Sequence, residues 1–244
     1  MVQGNVKIRG RKYSFPLLIT IIILGLILYL LFQPPNSMDK IFSQKKSKVI
    51  KLPKPSYSSK TSIEKALLLR RSIRDYKDEP LRLSEVSQLL WSAQGITDKR
   101  GLRTAPSAGA TYPLGIYIVV GNVLNLKDGI YYYNPNKHEL RLTIAGDMRD
   151  RLSKAALGQD CIKRGAVNIV ISAVNERTTA KYRMRGTRYI YIEVGHVAQN
   201  IYLQSVSLNL GTVIIGAFDD NEVKKVLSMG RNENPMCIMP IGRP

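Results

Sequence analysis

Cysteine is almost missing from this chain: two residues, Cys161 and Cys237, in 244. They lie far apart, with no Cys-x-x-Cys spacing and no histidine beside either. Neither a metal centre nor a disulfide framework is implied, and a single long-range pairing of the two, with the redox compartment, stays open. Acid is short as well, with 18 Asp and Glu against 37 Lys and Arg, a net charge of +19. Such an excess suggests nucleic acid as a partner, but zinc-finger spacing is absent and no basic run is interleaved with aromatics. Nucleic-acid binding is therefore set aside. The sequence also lacks internal repeats and a glycine-rich dinucleotide fingerprint.

What is present suffices for a folded domain, since 44% hydrophobic content over this length fills one core or two. The charge is unevenly spread: residues 1–60 hold eleven cations against Asp39 alone. Residues 1–14 read as a basic tail with Lys7, Arg9, Arg11 and Lys12. An uncharged apolar run follows from Phe15 to Phe32, 18 residues that are long enough to cross a bilayer. The expectation is a single-pass anchor and a cell-membrane location. The lysines on either side leave undecided which face carries the domain. Residues 33–60 hold Pro34, Pro35, Pro53 and Pro55 among serines and lysines, the composition of a tether. The domain is expected over 61–244.

Within it, Thr61 and Glu64 form a Thr-x-x-Glu capping box that starts a helix. A second helix is predicted from Ser84 to a stop at Gly95. The stretch Arg103–Gly115 reads as a loop, Ile116–Val120 as a strand, and Gly129–Thr143 as a hairpin turning at Asn134-Pro135-Asn136. Asp147 caps a short helix, and Ala166–Val174 is a buried strand. The periodicity of Val194, Val197, Ala198, Ile201, Ser205 and Leu208 predicts a long helix over 188–208, with Gly195 and Ala198 small enough for close packing and His196 taken as a core residue. A strand over Thr212–Gly216, a helix capped by Asp219, and a last strand over Met236–Ile241 complete an α+β domain.

Three guanidiniums and a hydroxyl fall within five residues in Arg70-Arg71-Ser72-Ile73-Arg74. A planar cation with a fixed fork of donors suits phosphate oxygens and the polar edge of a heterocycle. Downstream come Ala105-Pro106-Ser107-Ala108-Gly109-Ala110, then Lys181-Tyr182 ahead of Arg185-Gly186-x-Arg188-Tyr189, then Glu193-x-Gly195-His196-x-Ala198-Gln199-Asn200, Gly211, and a closing Pro240-x-Gly242. In this order the motifs resemble those of the flavin-dependent nitroreductase superfamily, in its SagB-type dehydrogenase branch, which includes azoline oxidases of modified-peptide biosynthesis.

The resemblance implies a nitroreductase-like fold, a mostly antiparallel sheet flanked by helices, that binds FMN at a homodimer interface. By that likeness Arg70 and Ser72 hold the phosphate and ribityl end, Arg71 lies beside them, and Arg74 faces the pyrimidine edge. Pro106, Ser107, Ala108 and Gly109 cover the flavin from the other subunit, Gln159 matches a pyrimidine-binding amide, and the Gly216 N–H approaches N5. Lys181 and Tyr182 match a catalytic pair, with lysine as a base if burial or the neighbouring Arg177, Arg183 and Arg185 lower its pKa. The implied activity is hydride transfer through the flavin, with NAD(P)H as a co-substrate and a small molecule or peptide as substrate. Reductive dehalogenation and a non-catalytic flavin- or partner-binding module are the alternatives. Two departures stand out: Arg243 is the only cation near the closing motif for a phosphate contact, and Ile215 replaces the acidic residue that precedes the glycine in classical nitroreductases.

Overall fold

The computed structural model describes residues 48–244 and, further upstream, the backbone of two short strands. The chain divides into two units, 1–45 and 46–244. In the first, β1 (Asn5–Ile8) pairs antiparallel with β2 (Arg11–Ser14), so part of the stretch read as a basic tail is a hairpin. The apolar run 15–32, and the stretch 33–47 of the expected tether, lie outside the described residues. The membrane expectation is corrected accordingly. Among the described residues no helix is long and apolar enough to cross a membrane, so neither a spanning element nor a membrane location is assigned.

The second unit is built on a seven-stranded antiparallel sheet. Its elements in chain order are β3 (Val49–Lys51), α1 (Ile63–Leu69), β4 (Leu81–Arg82), α2 (Leu83–Gln94), β5 (Leu114–Val120), β6 (Val123–Leu124), β7 (Gly129–Asn134) and β8 (Glu139–Ala145). Then come α3 (Arg149–Ala155), α4 (Asp160–Arg164), β9 (Val167–Val174), α5 (Glu176–Tyr182), α6 (Arg185–Ser207), β10 (Gly211–Thr212), α7 (Asp220–Leu227) and β11 (Glu233–Gly242). The sheet order is β10-β11-β9-β5-β7-β8-β3, and a separate parallel pair joins β4 to β6.

Side chains alternate across a strand, and here both faces are covered, which is why the central strands are apolar almost throughout. Ile169 and Ile171 of β9, Ile116 and Ile118 of β5, and Met239 of β11 enter one core with α2 and α6. Val170, Val119 and Ile238, their neighbours in sequence, enter the opposite core with Leu152, Ile162, Val223 and Leu227 of α3, α4 and α7.

The domain starts earlier than the composition implies. Val49–Lys51 pairs with Arg141–Glu139 of β8, and Leu52 is buried. The stretch is pinned by a polar network: Ser87 Oγ donates to the Pro53 carbonyl at 2.6 Å and lies 2.7 Å from His138 Nε2, while His138 Nδ1 bonds the Tyr133 hydroxyl at 2.9 Å. Prolines in this stretch punctuate a docked segment, so composition alone mistook it for a tether.

Other boundaries shift for local reasons. The cap of α1 is Ser62, whose hydroxyl accepts from Lys65 N at 3.2 Å, while the Thr61 N–H is bonded to Ser59 Oγ. Helix α2 starts at Leu83, where the Glu85 carboxylate accepts the Arg82 N–H at 2.8 Å. The strand expected over 212–216 reduces to Gly211–Thr212 and a bridge from Ile215 to Ile238. Between them the Ile214 N–H leaves the ladder for the Tyr202 hydroxyl at 2.9 Å. His196 and Gly195 are exposed on α6, not packed in the core, although Ala198 is buried. Cys161 and Cys237 are both free and buried, which settles the open pairing.

Candidate functional site

The arginine cluster occupies the irregular stretch that leaves α1. Helix α1 ends at Leu69 because Arg70 turns to an extended conformation with φ −55° and ψ 127°. Its guanidinium lies 5.2 Å from the ring centre of Tyr202, a cation–π distance. Ser72 Oγ shares a 3.1 Å hydrogen bond with the Tyr202 hydroxyl, which also accepts the Ile214 N–H. One phenol on α6 thus ties the cluster to the strand end that leads into Gly216. The Ile73 N–H donates to the Thr212 carbonyl at 2.9 Å and fixes the same junction from the backbone side. Tyr76 is buried behind it and donates to the Ile73 and Pro240 carbonyls.

The other residues predicted on this side gather here to different degrees. Arg74 is exposed, in no ion pair among the described residues, and close enough to Cys161 to oppose the rise that burial imposes on that thiol. Gln159 Nε2 donates to the Ala217 carbonyl at 2.9 Å, which places this amide next to Gly216. Space is open in front of Gly216, where, its chain neighbours aside, no atom of the described residues lies within 4 Å of the position a Cβ would take. Arg71 turns away: its Nη1 donates to the Leu68 and Arg70 carbonyls and covers the end of α1. Arg243 is committed elsewhere, with Nη2 2.8 and 2.9 Å from the two oxygens of buried Glu85. Burial opposes ionisation of Glu85, but hydrogen bonds from the Arg82 backbone and side chain and from Arg243 prevail and hold its carboxyl below the usual range.

A second group forms around the Pro106–Gly109 loop. A short 3-10 turn over Ala108–Ala110 contains Gly109 at φ 59°, followed by Ala110 at 54° and Tyr112 at 44°. A Cβ on Gly109 would come 2.5 Å from the Tyr182 hydroxyl and 2.6 Å from Lys181 Nζ. The loop and the Lys181–Tyr182 pair, 72 residues apart between Gly109 and Lys181, are therefore neighbours within one chain. The pair forms the last turn of α5, and Lys181 is exposed beside the Tyr182 ring at 5.5 Å. Thr111 and Thr178 share a 2.8 Å hydrogen bond that fastens the loop to the same helix. Arg183, at φ 52°, ends α5 in a conformation that L residues seldom adopt.

Residues that sequence reasoning did not single out complete both groups. Tyr202 is one. Its position on the buried stripe of α6, four residues after Ala198, was the available signal, but only the fold shows where its hydroxyl goes. Arg103 is another: its guanidinium stacks on Tyr112 at 4.3 Å and donates to Gln94 Oε1 at 2.6 Å.

Known proteins share this fold. The model of the nitroreductase family matches residues 67–243. This chain belongs to the nitroreductase family. It is 46% identical, over 74% of its own length and 90% of the relative's, to a protein of Methanocaldococcus jannaschii named as a nitroreductase. A crystal structure described as a nitroreductase from Ralstonia eutropha superposes with a TM-score of 0.72 at 30% identity, covering 82% of this chain and 91% of that one. The microcin B17-processing protein McbC of Escherichia coli is 26% identical over 66% of this chain and 62% of its own, so the chain spans under two thirds of that relative. The family is one of oxidoreductases, typically dependent on a flavin.

Proposed function

We propose that this family member is an FMN-dependent oxidoreductase acting as a homodimer, in which the two groups of residues described above come from different protomers to enclose one flavin. The observation that carries the reading is their separation along α6. Tyr202, which anchors the cluster, and Glu193, which lies beneath the loop, are nine residues apart, a rise of about 13 Å. On this reading the loop that covers the ring comes from a second copy. Ile63, Leu67, Leu68 and Leu69 of α1 and Tyr191 and Ile192 of α6 are exposed, an apolar surface of the kind a twofold partner covers.

The residues fit the flavin. Arg70 and Arg74 enter no ion pair with a carboxylate among the described residues, which leaves them free to compensate a phosphate and the electron-rich edge of the ring. Gly216 leaves open the space that a flat ring needs, and Gln159 stands beside it. When bound, FMN would supply hydride transfer at N5. The chain's own part is to hold the ring with Arg70, Ser72, Arg74, Gln159 and Gly216 and to cover it with Pro106, Ser107, Ala108 and Gly109. Lys181, with Tyr182, takes or returns the proton at a second substrate atom while the first loses or gains hydride. Arg71, turned onto α1, contributes charge only. NAD(P)H is the donor this scheme uses, reaching the site from solvent.

Similarity to a microcin-processing protein favours a second substrate reading, an azoline ring in a peptide; there the azoline itself would be the hydride donor in place of NAD(P)H, and an external oxidant such as dioxygen would take the electrons from the reduced flavin. One experiment tests the core of the proposal. The purified protein should show flavin absorbance that NADH or NADPH bleaches, and Arg74→Ala should retain FMN roughly tenfold less well with its fold intact. A protein that stays colourless with excess FMN refutes the reading. A screen of nitro, quinone and azoline compounds then separates the substrates.

A further inference from the structure

The long helix carries a carboxyl that the scheme above does not use. Glu193, on α6, is 2% exposed. Among the described residues its Oε1 has no hydrogen-bonding partner, and neither do Gln94 Nε2 and Arg103 Nε, all three buried. Ser107 and Gln94 turn polar atoms toward the carboxyl, and Arg103 adds its charge. Ser107 is also the residue whose hydroxyl accepts the Tyr112 N–H at 3.0 Å, closing the loop across the positive-φ residues. Backbone held in such a conformation persists only where its surroundings over-determine it. Arg103 on the Tyr112 ring, the Arg103–Gln94 bond and Glu193 against Ser107 are those surroundings.

We propose that Glu193 is a positioning residue that, through Ser107, fixes the shape of the 105–112 loop. The consequence for cofactor binding rests on the flavin reading above; the effect on the loop does not. Burial raises the Glu193 carboxyl above its ordinary range, while Ser107, Arg103 and Gln94 act against that rise. Arg103 is the charged group facing it, and Arg103 in turn is influenced by Tyr112, Tyr132 and Arg177. The ionised carboxylate accepts from Ser107 and balances Arg103. Protonation on acidification, at a pH above that of an ordinary glutamate, removes both roles and loosens the loop.

Amide hydrogen exchange on the full chain without added FMN decides the matter. In the wild type, Ala110, Thr111 and Tyr112, whose N–H groups bond to Ser107 O, Ala108 O and Ser107 Oγ, should be protected near neutral pH. After correction for intrinsic rates, that protection should fall about tenfold with acidification. Glu193→Gln and Ser107→Ala should lower it about tenfold already at neutral pH, with the acid step gone in Glu193→Gln and β5 and β9 unchanged. Wild-type protection together with a wild-type acid step in Glu193→Gln overturns the proposal. Loss of protection throughout the sheet overturns it too, because it marks Glu193 as a general stabiliser. An FMN titration of the same samples should give about tenfold weaker binding in both variants; a wild type that binds no FMN sinks the flavin reading and leaves the exchange result standing.

Discussion

Around Arg70–Arg74 the backbone is irregular and Ser72 and Arg74 are exposed, with one phenol, Tyr202, as the main tie to the rest of the fold. Around Pro106–Tyr112 the backbone holds three positive-φ residues, fastened from α2, α5 and α6 at once. The first region offers charge and the second offers shape. An anion is held by cations that keep their donors free, and ionic attraction tolerates small displacements. On the flavin reading proposed above, close approach of backbone to a flat ring tolerates none, and the strained loop there is matched by many fixed contacts.

Four substitutions press on this contrast. Lys181→Ala should have the largest effect, a fall in turnover of about 100-fold or more with flavin content unchanged; steady-state rates beside the absorbance spectrum check it, and full turnover would remove Lys181 from proton transfer. Arg243→Ala belongs to neither region and should leave buried Glu85 without one of its two arginine partners. The expected loss is about 3 kcal/mol in denaturant unfolding, with no change in FMN affinity; weaker FMN binding in folded protein would return Arg243 to the phosphate side.

Gly109→Ala should act through shape. Its Cβ would meet the Tyr182 hydroxyl and Lys181 Nζ, and its φ of 59° disfavours an L side chain, so about 1–2 kcal/mol of stability and part of the turnover should be lost. Unaltered kinetics would mean the loop yields freely. Tyr202→Phe should be mildest: it orphans the Ile214 N–H and frees Ser72, costing about 1 kcal/mol and a few-fold in FMN affinity by equilibrium titration. An effect as large as that of Gly109→Ala would erase the distinction between the regions.

Much of the fold is legible in local sequence. The apolar runs of β5 and β9, the stripe of α6 and the glycine after α2 follow from local periodicity and punctuation, which depend on nearest neighbours in sequence. The order of the motifs marked the family and the residues to inspect. Elsewhere the signals misled because a distant group competed for the same atoms. Ile214 left its strand for Tyr202, and a proline- and serine-rich stretch docked through His138 and Ser87.

By itself, then, the sequence determined the α+β class, most of the elements and the residue types at the site, since these rest on side-chain period, turn chemistry and composition. Tertiary structure alone decided that Gly109 abuts Lys181 and Tyr182, that Arg243 serves Glu85, that Arg71 covers a helix end, and that Glu193 is buried under a strained loop. Those are contacts between groups far apart in sequence, where packing and hydrogen-bond satisfaction choose among many available partners, and no local pattern encodes that choice.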